Sequence, residues 1–249
     1  MSDLTLALTR QELGKDSRGW AEWKNIETAE RWPAAQTALL ICDMWDHHWS
    51  RGASERVDAM APKVDAVVRA ARDRGVTIVH APSDTLGFYE DHPARRRIQK
   101  APRIDPPEDL PHDNPPLPID DSDGGSDTGE TSWFTAWTRQ HPAITIDPDR
   151  DVISDNGAEI WSYLYLLDIG RVLILGVHTN MCVLGRSFGI RQMVRWGMRV
   201  ALVRDLTDTM YNPARSPYVS HDEGTRLVIG YIEKFWCPTI GSADIAGGE

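Results

Sequence analysis

Four short apolar runs separated by segments of helical periodicity constrain this chain more than any other feature. Thr37-Ala38-Leu39-Leu40-Ile41-Cys42, Val76-Thr77-Ile78-Val79-His80, Arg171 to Val177 and Arg199 to Val203 read as strands. A strand that is apolar at nearly every position needs cover on both faces, and a parallel sheet with crossover helices supplies it. Pro62 to Arg74 carries Val64, Val67, Val68 and Ala71 at helical spacing and stops at Gly75. Ala158 to Leu167, Gly185 to Trp196 and Thr225 to Phe235 read as further helices, and Ala143 to Ile146 as one more strand. This alternation predicts an α/β fold: a doubly wound, mostly parallel sheet with helices on both faces. Ligands of such sheets bind beyond the carboxyl ends of the strands.

Residues 105–132 break the pattern. This stretch is rich in Pro, Asp and Gly and contains no Lys or Arg. It reads as a solvated loop or as a lid over the strand ends, inserted in one domain spanning 1–249. Trp133 and Trp137 just beyond it favour at least partial docking. Asp121 to Asp127 has acidic spacing that does not fit a calcium-binding loop.

The chemistry-bearing residues fall at the strand ends. The first run ends in Asp43, followed by Met44-Trp45-Asp46-His47-His48-Trp49. The second ends in His80-Ala81-Pro82-Ser83-Asp84. After Val172-Leu173-Ile174-Leu175 comes Gly176-Val177-His178-Thr179-Asn180-Met181-Cys182-Val183. A cysteine between a buried strand and a helix start meets backbone N–H groups and a positive dipole end, which favour a nucleophilic thiolate. The bland alternative is a small buried apolar residue. Asp205, Thr207, Asp208, Tyr211 and Asn212 form a polar loop after the last run, and one of them is expected at a substrate.

Together, Asp43 with Asp46, the Gly176 to Val183 segment, and Gly197 before the strand ending in Asp205 resemble the isochorismatase-like cysteine hydrolases. That group includes nicotinamidases, N-carbamoylsarcosine amidohydrolases and ureidoacrylate or biuret hydrolases. The resemblance covers roughly Thr37 to Ile232, apart from the acidic insertion, and implies a three-layer sheet of about six mostly parallel strands. It implies hydrolysis of an amide or carbamoyl C–N bond through a Cys182 thioester, with Asp43 as general base. It implies a cis peptide at Val177-His178 and an oxyanion hole from the His178 and Cys182 backbone amides. Trp45, Trp49, Thr179 and Arg186 are the expected substrate-binding residues.

The resemblance also calls for a lysine at the end of a third strand. The corresponding stretch reads Arg150-Asp151-Val152-Ile153-Ser154-Asp155, with Ser154 at the matching position and no lysine between Lys100 and Lys234. Lys100, Arg103, Arg150 or Arg186 could replace it in space. Without a replacement, two other readings stand: an altered enzyme in which Asp43 is a general acid and no thioester forms, and a non-catalytic binding or scaffold protein. No cofactor is expected. Asp84 and His92 match two metal ligands of nicotinamidases, but Leu86 stands where a third would be, so no metal is assigned. A different site built from Asp46, His47, His80, Asp84 and His92 would suit Zn or Fe.

A net charge of -10 disfavours nucleic acid and anionic membranes as partners. The expected partner is a small-molecule substrate, in a homo-oligomer by analogy. Three scattered cysteines and a first segment without a basic, then apolar, leader lead us to expect a cytoplasmic protein.

Overall fold

The computed structural model describes residues 3–247. β1 (Leu4–Lys15) and β2 (Ala21–Trp32) pair along their whole length as an antiparallel hairpin. Its turn is held by Asp16, whose carboxylate accepts the Arg18 and Trp20 N–H groups, and by Gly19 at φ +87°, a conformation that favours glycine. Leu4, Leu6 and Leu8 bury one face of β1, whereas β2 is mostly exposed. The expected pattern began only at Thr37, and this hairpin raises the sheet from about six strands to eight.

The centre is parallel, as the apolar runs require. β3 (Thr37–Cys42) lies between β4 (Thr77–Ala81) and β6 (Arg171–Val177). β5 (Val152–Ile153) adds to β4, and β7 (Arg199–Asp208) to β6. β8 (Thr239–Ile240) joins β7 to the hairpin, giving the order β2-β1-β8-β7-β6-β3-β4-β5. Alternate residues of β3 feed two cores. Leu39 and Ile41 pack with Val57, Val64 and Val68 of α1 (Arg51–Asp73). Leu40 and Cys42 pack on the other face with Leu164 of α3 (Gly157–Leu166) and Val228 of α5 (His221–Phe235). Each such side chain, fully buried, stabilises by about 1.5–3 kcal/mol.

Two sequence expectations need correction. Ala143 to Ile146 is not a strand: Thr145 is tied to α1 by its N–H on Asp65 and its carbonyl on Arg72. The edge strand is β5, only two residues long. The helix expected over Gly185 to Trp196 is α4 (Ile190–Arg195), preceded by a π-helical turn at Thr179–Val183. Gly185 and Gly189 lie in the break, and a Cβ on Gly189 would meet the Val183 carbonyl at 2.8 Å. Two further α-helices complete the set, α2 (Pro93–Lys100) and α6 (Ala243–Ala246). Among the described residues no helix is long and apolar enough to cross a membrane.

Candidate active site

Asp43 leaves β3 with φ +47° and is fully buried. Its Oδ1 accepts the Ser83 N–H at 2.7 Å, and its Oδ2 accepts Arg186 Nε at 3.0 Å. The half-buried Cys182 thiol lies against the same carboxylate. The Val177-His178 peptide bond is cis, and the backbone N–H of His178 lies against the Cys182 sulfur. Cys42, by contrast, is a core residue whose thiol contacts the Val177 carbonyl.

The cation that meets Asp43 is Arg186. It sits one turn beyond Cys182, and its second contact is Asp84, with Nη2 3.3 Å from Oδ2. The other candidates are elsewhere. Arg103 and Arg95 both bind Glu159, Arg150 pairs with Asp147 and Asp73, and Lys100 is an exposed residue at the end of α2. Ser154 does stand just past β5, but its hydroxyl donates to Glu159. Arg186 was expected as a substrate residue; its guanidinium is instead committed to Asp43 and Asp84.

Burial pushes the Asp43 carboxyl up, and the Arg186 guanidinium and the Ser83 hydrogen bonds pull it back toward the ionised form. Burial also pushes the Cys182 thiol well up, the Asp43 charge adds to this, and Arg186 opposes it. The thiol is therefore not lowered by its position near a helix start, as the sequence suggested. Desolvation outweighs the few aligned N–H groups of a π-helical turn.

Beside the sulfur is a cavity of about 240 Å³ whose walls include Trp45, Trp49, Trp133, Trp137 and His178. Trp45 is fixed by its Nε1 donating to the Ser83 carbonyl at 3.0 Å. Trp49 lies against Gly124 of the insertion, where a Cβ would come within 3.3 Å of the ring. Thr179, expected at the substrate, faces away. It is fully buried, and its hydroxyl meets that of Thr207 at 2.7 Å. None of Asp205, Thr207, Asp208, Tyr211 and Asn212 lines the cavity; their neighbour Met210 does.

The insertion is docked. Asp127 takes both terminal nitrogens of Arg56, at 2.9 and 3.1 Å, and lies 3.3 Å from His221 Nδ1. Asp121 accepts from Asn180 at 2.7 Å and Asp123 from Asn212 at 3.0 Å. These three carboxylates are thus occupied by protein donors. Arg56 was not singled out from sequence; the only hint was the acidic run, which needs cations from somewhere.

The metal candidates do not converge. His92 caps α2 through its Nδ1, and His80 is buried between Gln140 and Asp151. Asp46 accepts from Thr138, and His47 is exposed. Among the described residues no group of three or more His, Cys, Asp or Glu side chains is arranged to hold a metal.

The mostly parallel sheet, with this strand-end geometry, is an isochorismatase-like α/β fold. The chain is similar in structure to a cysteine hydrolase from Pseudomonas syringae pv. phaseolicola 1448A, at 16% identity over 87% of this chain and 94% of that one, TM-score 0.53. It is similar also to an isochorismatase from Pseudomonas putida KT2440, at 14% identity over 84% and 90% of the two chains, TM-score 0.50. Identities this low describe the fold rather than the reaction. No protein-family model matches the sequence, and no curated protein matches it.

Proposed function

We propose that this protein hydrolyses the C–N bond of a small amide through a Cys182 thioester, with Asp43 as base and Arg186 in the role of the expected lysine. The observation that carries the reading is one carboxylate, Asp43, that accepts Arg186 Nε at 3.0 Å and whose charge bears directly on the Cys182 thiol. In the resting site the proton stays on sulfur. Asp43 takes it as sulfur attacks the carbonyl carbon, and Arg186 favours both charged forms in that step. The carbonyl electrons move to oxygen, where the His178 and Cys182 backbone N–H groups are the available donors; losing one such donor typically costs about 10²–10³ in rate. The C–N bond then breaks, and Asp43 returns the proton to the leaving nitrogen. Water, deprotonated by Asp43, releases the acid and regenerates the thiol.

A panel of small carboxamides followed by ammonia release tests the reading, with intact-mass detection of an acyl adduct at Cys182. Turnover that disappears in both Cys182→Ala and Asp43→Asn supports it. A second reading is favoured by the upward shifts of both the Asp43 carboxyl and the thiol. There Asp43 serves as an acid and no thioester forms. Turnover that survives Cys182→Ala but not Asp43→Asn selects that alternative.

A further inference from the structure

A second cleft lies at the opposite end of the sheet from Cys182. It opens between the hairpin, with Arg10, Glu30 and Trp32, and the body of the domain, with Met198, Arg199 and Trp236. Its volume of about 400 Å³ is within the range of small-molecule sites. Arg171 and Arg199 are register partners where β6 and β7 begin. Cys182 lies beyond the far end of β6, so the length of that strand, about 20 Å, separates the two sites.

Glu30 sets the hairpin wall. It accepts Trp32 Nε1 at 2.9 Å and Arg199 Nη2 at 2.6 Å. The Arg199 guanidinium lies 5.7 Å from the Trp32 ring centroid. On the other wall Arg191 and Arg195, one helical turn apart on α4, stand over the Trp236 ring at 5.5 and 5.6 Å. Neither pairs with a carboxylate among the described residues, whereas their neighbours Arg186 and Arg199 both do. Like charges one turn apart repel, and nothing acidic on the helix offsets them. Arg191 Nε is also buried and makes no hydrogen bond within the protein. A buried donor without an acceptor is costly, and an anion at this wall would answer both faults.

Arg10 adds a fourth guanidinium from the hairpin, paired in the open with Glu12. Exposed pairs of that kind are weakly held and exchange readily. The cleft is therefore a basic patch on a chain of net charge -10. Its floor is apolar, with Val194, Met198 and Pro238 all half-buried. A thioether and the flat faces of guanidinium groups both favour contact with an aromatic ring.

We propose that this cleft is a second ligand site, separate from the one at Cys182, for a small aromatic phosphate ester. The ring lies on the apolar floor. The phosphate, doubly charged near neutral pH, answers more than one guanidinium, which a carboxylate does less well. Calorimetry on the native chain with phenyl phosphate, inorganic phosphate and phenyltrimethylammonium tests the assignment. Phenyl phosphate is expected to bind at one site per chain, at least tenfold more tightly than the other two, and to weaken as salt is added. Arg195→Gln is expected to weaken it at least threefold, as is Arg10→Gln, at an exposed position where folding is not at stake. Trp133→Ala, in the wall of the Cys182 cavity, is expected to leave it unchanged. Undetectable phenyl phosphate binding overturns the assignment, as does an affinity that neither arginine variant moves. Inorganic phosphate or phenyltrimethylammonium binding as tightly as phenyl phosphate overturns it too. Loss of phenyl phosphate binding in Trp133→Ala would put the probe at Cys182 and end the case for a second site.

Discussion

Arg186 Nε lies 3.0 Å from Asp43 Oδ2 across 143 residues of sequence, and the two groups meet beside the Cys182 sulfur. One is a strand-end carboxylate and the other a guanidinium carried by the break after a π-helical turn. Their pairing puts a cation on the strand-end carboxylate from the cysteine's own segment rather than from β5. Arg and Lys are not equivalent there. The planar guanidinium spans Asp43 and Asp84 together, which a compact ammonium would not reproduce.

Replacing Arg186 tests this relationship. Arg186→Gln leaves a buried carboxylate without its charged partner. The arginine side chain is 32% exposed, so solvent screens part of the loss; we expect about 2 kcal/mol of destabilisation by urea unfolding. The pH profile of Cys182 alkylation should also move upward. A profile unchanged in the variant would mean that Arg186 does not act on the thiol.

A second cluster sets acid stability. The Arg72 and Asp151 side chains are almost wholly buried and joined at 2.6 Å, and His80 Nε2 lies 3.0 Å from the same Asp151 oxygen. Burial pushes the Asp151 carboxyl up, but hydrogen bonds from His80 and Arg72 outweigh it and hold the group down at about 2, against an ordinary value of 3.8. A depressed carboxyl contributes stability that is complete above about pH 4 and is lost as pH falls toward about 2. Asp151→Asn should cost about 3 kcal/mol at pH 7 and flatten the unfolding midpoint over that acid window. Equal acid sensitivity in variant and native protein would argue against the assignment.

The insertion is latched by a histidine. His221 Nε2 is 2.9 Å from Asp208, and its Nδ1 lies 3.0 Å from the Tyr211 carbonyl and 3.3 Å from Asp127 of the insertion. Burial pushes the imidazole down and Arg56 opposes its charge, but the Asp208 hydrogen bond and charge win, so its value is raised above 6.5. A raised histidine contributes stability that is complete below its unfolded value and lost as pH rises through the folded one. Limited proteolysis within residues 105–132 should therefore quicken as pH climbs above neutrality, and His221→Gln should cleave quickly at all pH values. Cleavage rates independent of pH in the native protein would exclude the latch.

Gly176 sits at φ +115°, and a Cβ there would lie 2.0 Å from the Cys42 carbonyl oxygen. Both the backbone conformation and the close approach of β3 and β6 reject a side chain. Gly176→Ala should lose about 3 kcal/mol or more, read as a lowered thermal midpoint or as insoluble protein. Native-like melting of this variant would show that the two strands can separate without penalty.

Much of the fold was legible because burial of a central strand is a local property. Thr37 to Cys42 and Arg171 to Val177 could only be strands covered on both faces. Asp43 and Cys182 followed, since a polar residue at the end of such a strand lies where the sheet opens. The hairpin was hidden because β2 exposes both faces along most of its length and so carries little alternation. Thr179 misled because a motif position does not reveal which way a side chain turns in a π-helical segment.

The sequence by itself determined the parallel centre, the strand-end carboxylate and the thiol, all consequences of apolar spacing over a few residues. Only the tertiary structure decided which cation meets Asp43, that the acidic insertion closes on Arg56 and His221, and that four tryptophans converge beside Cys182. Those outcomes depend on the reach of long side chains between segments distant in sequence. Residue spacing within any one segment carries no record of such reach.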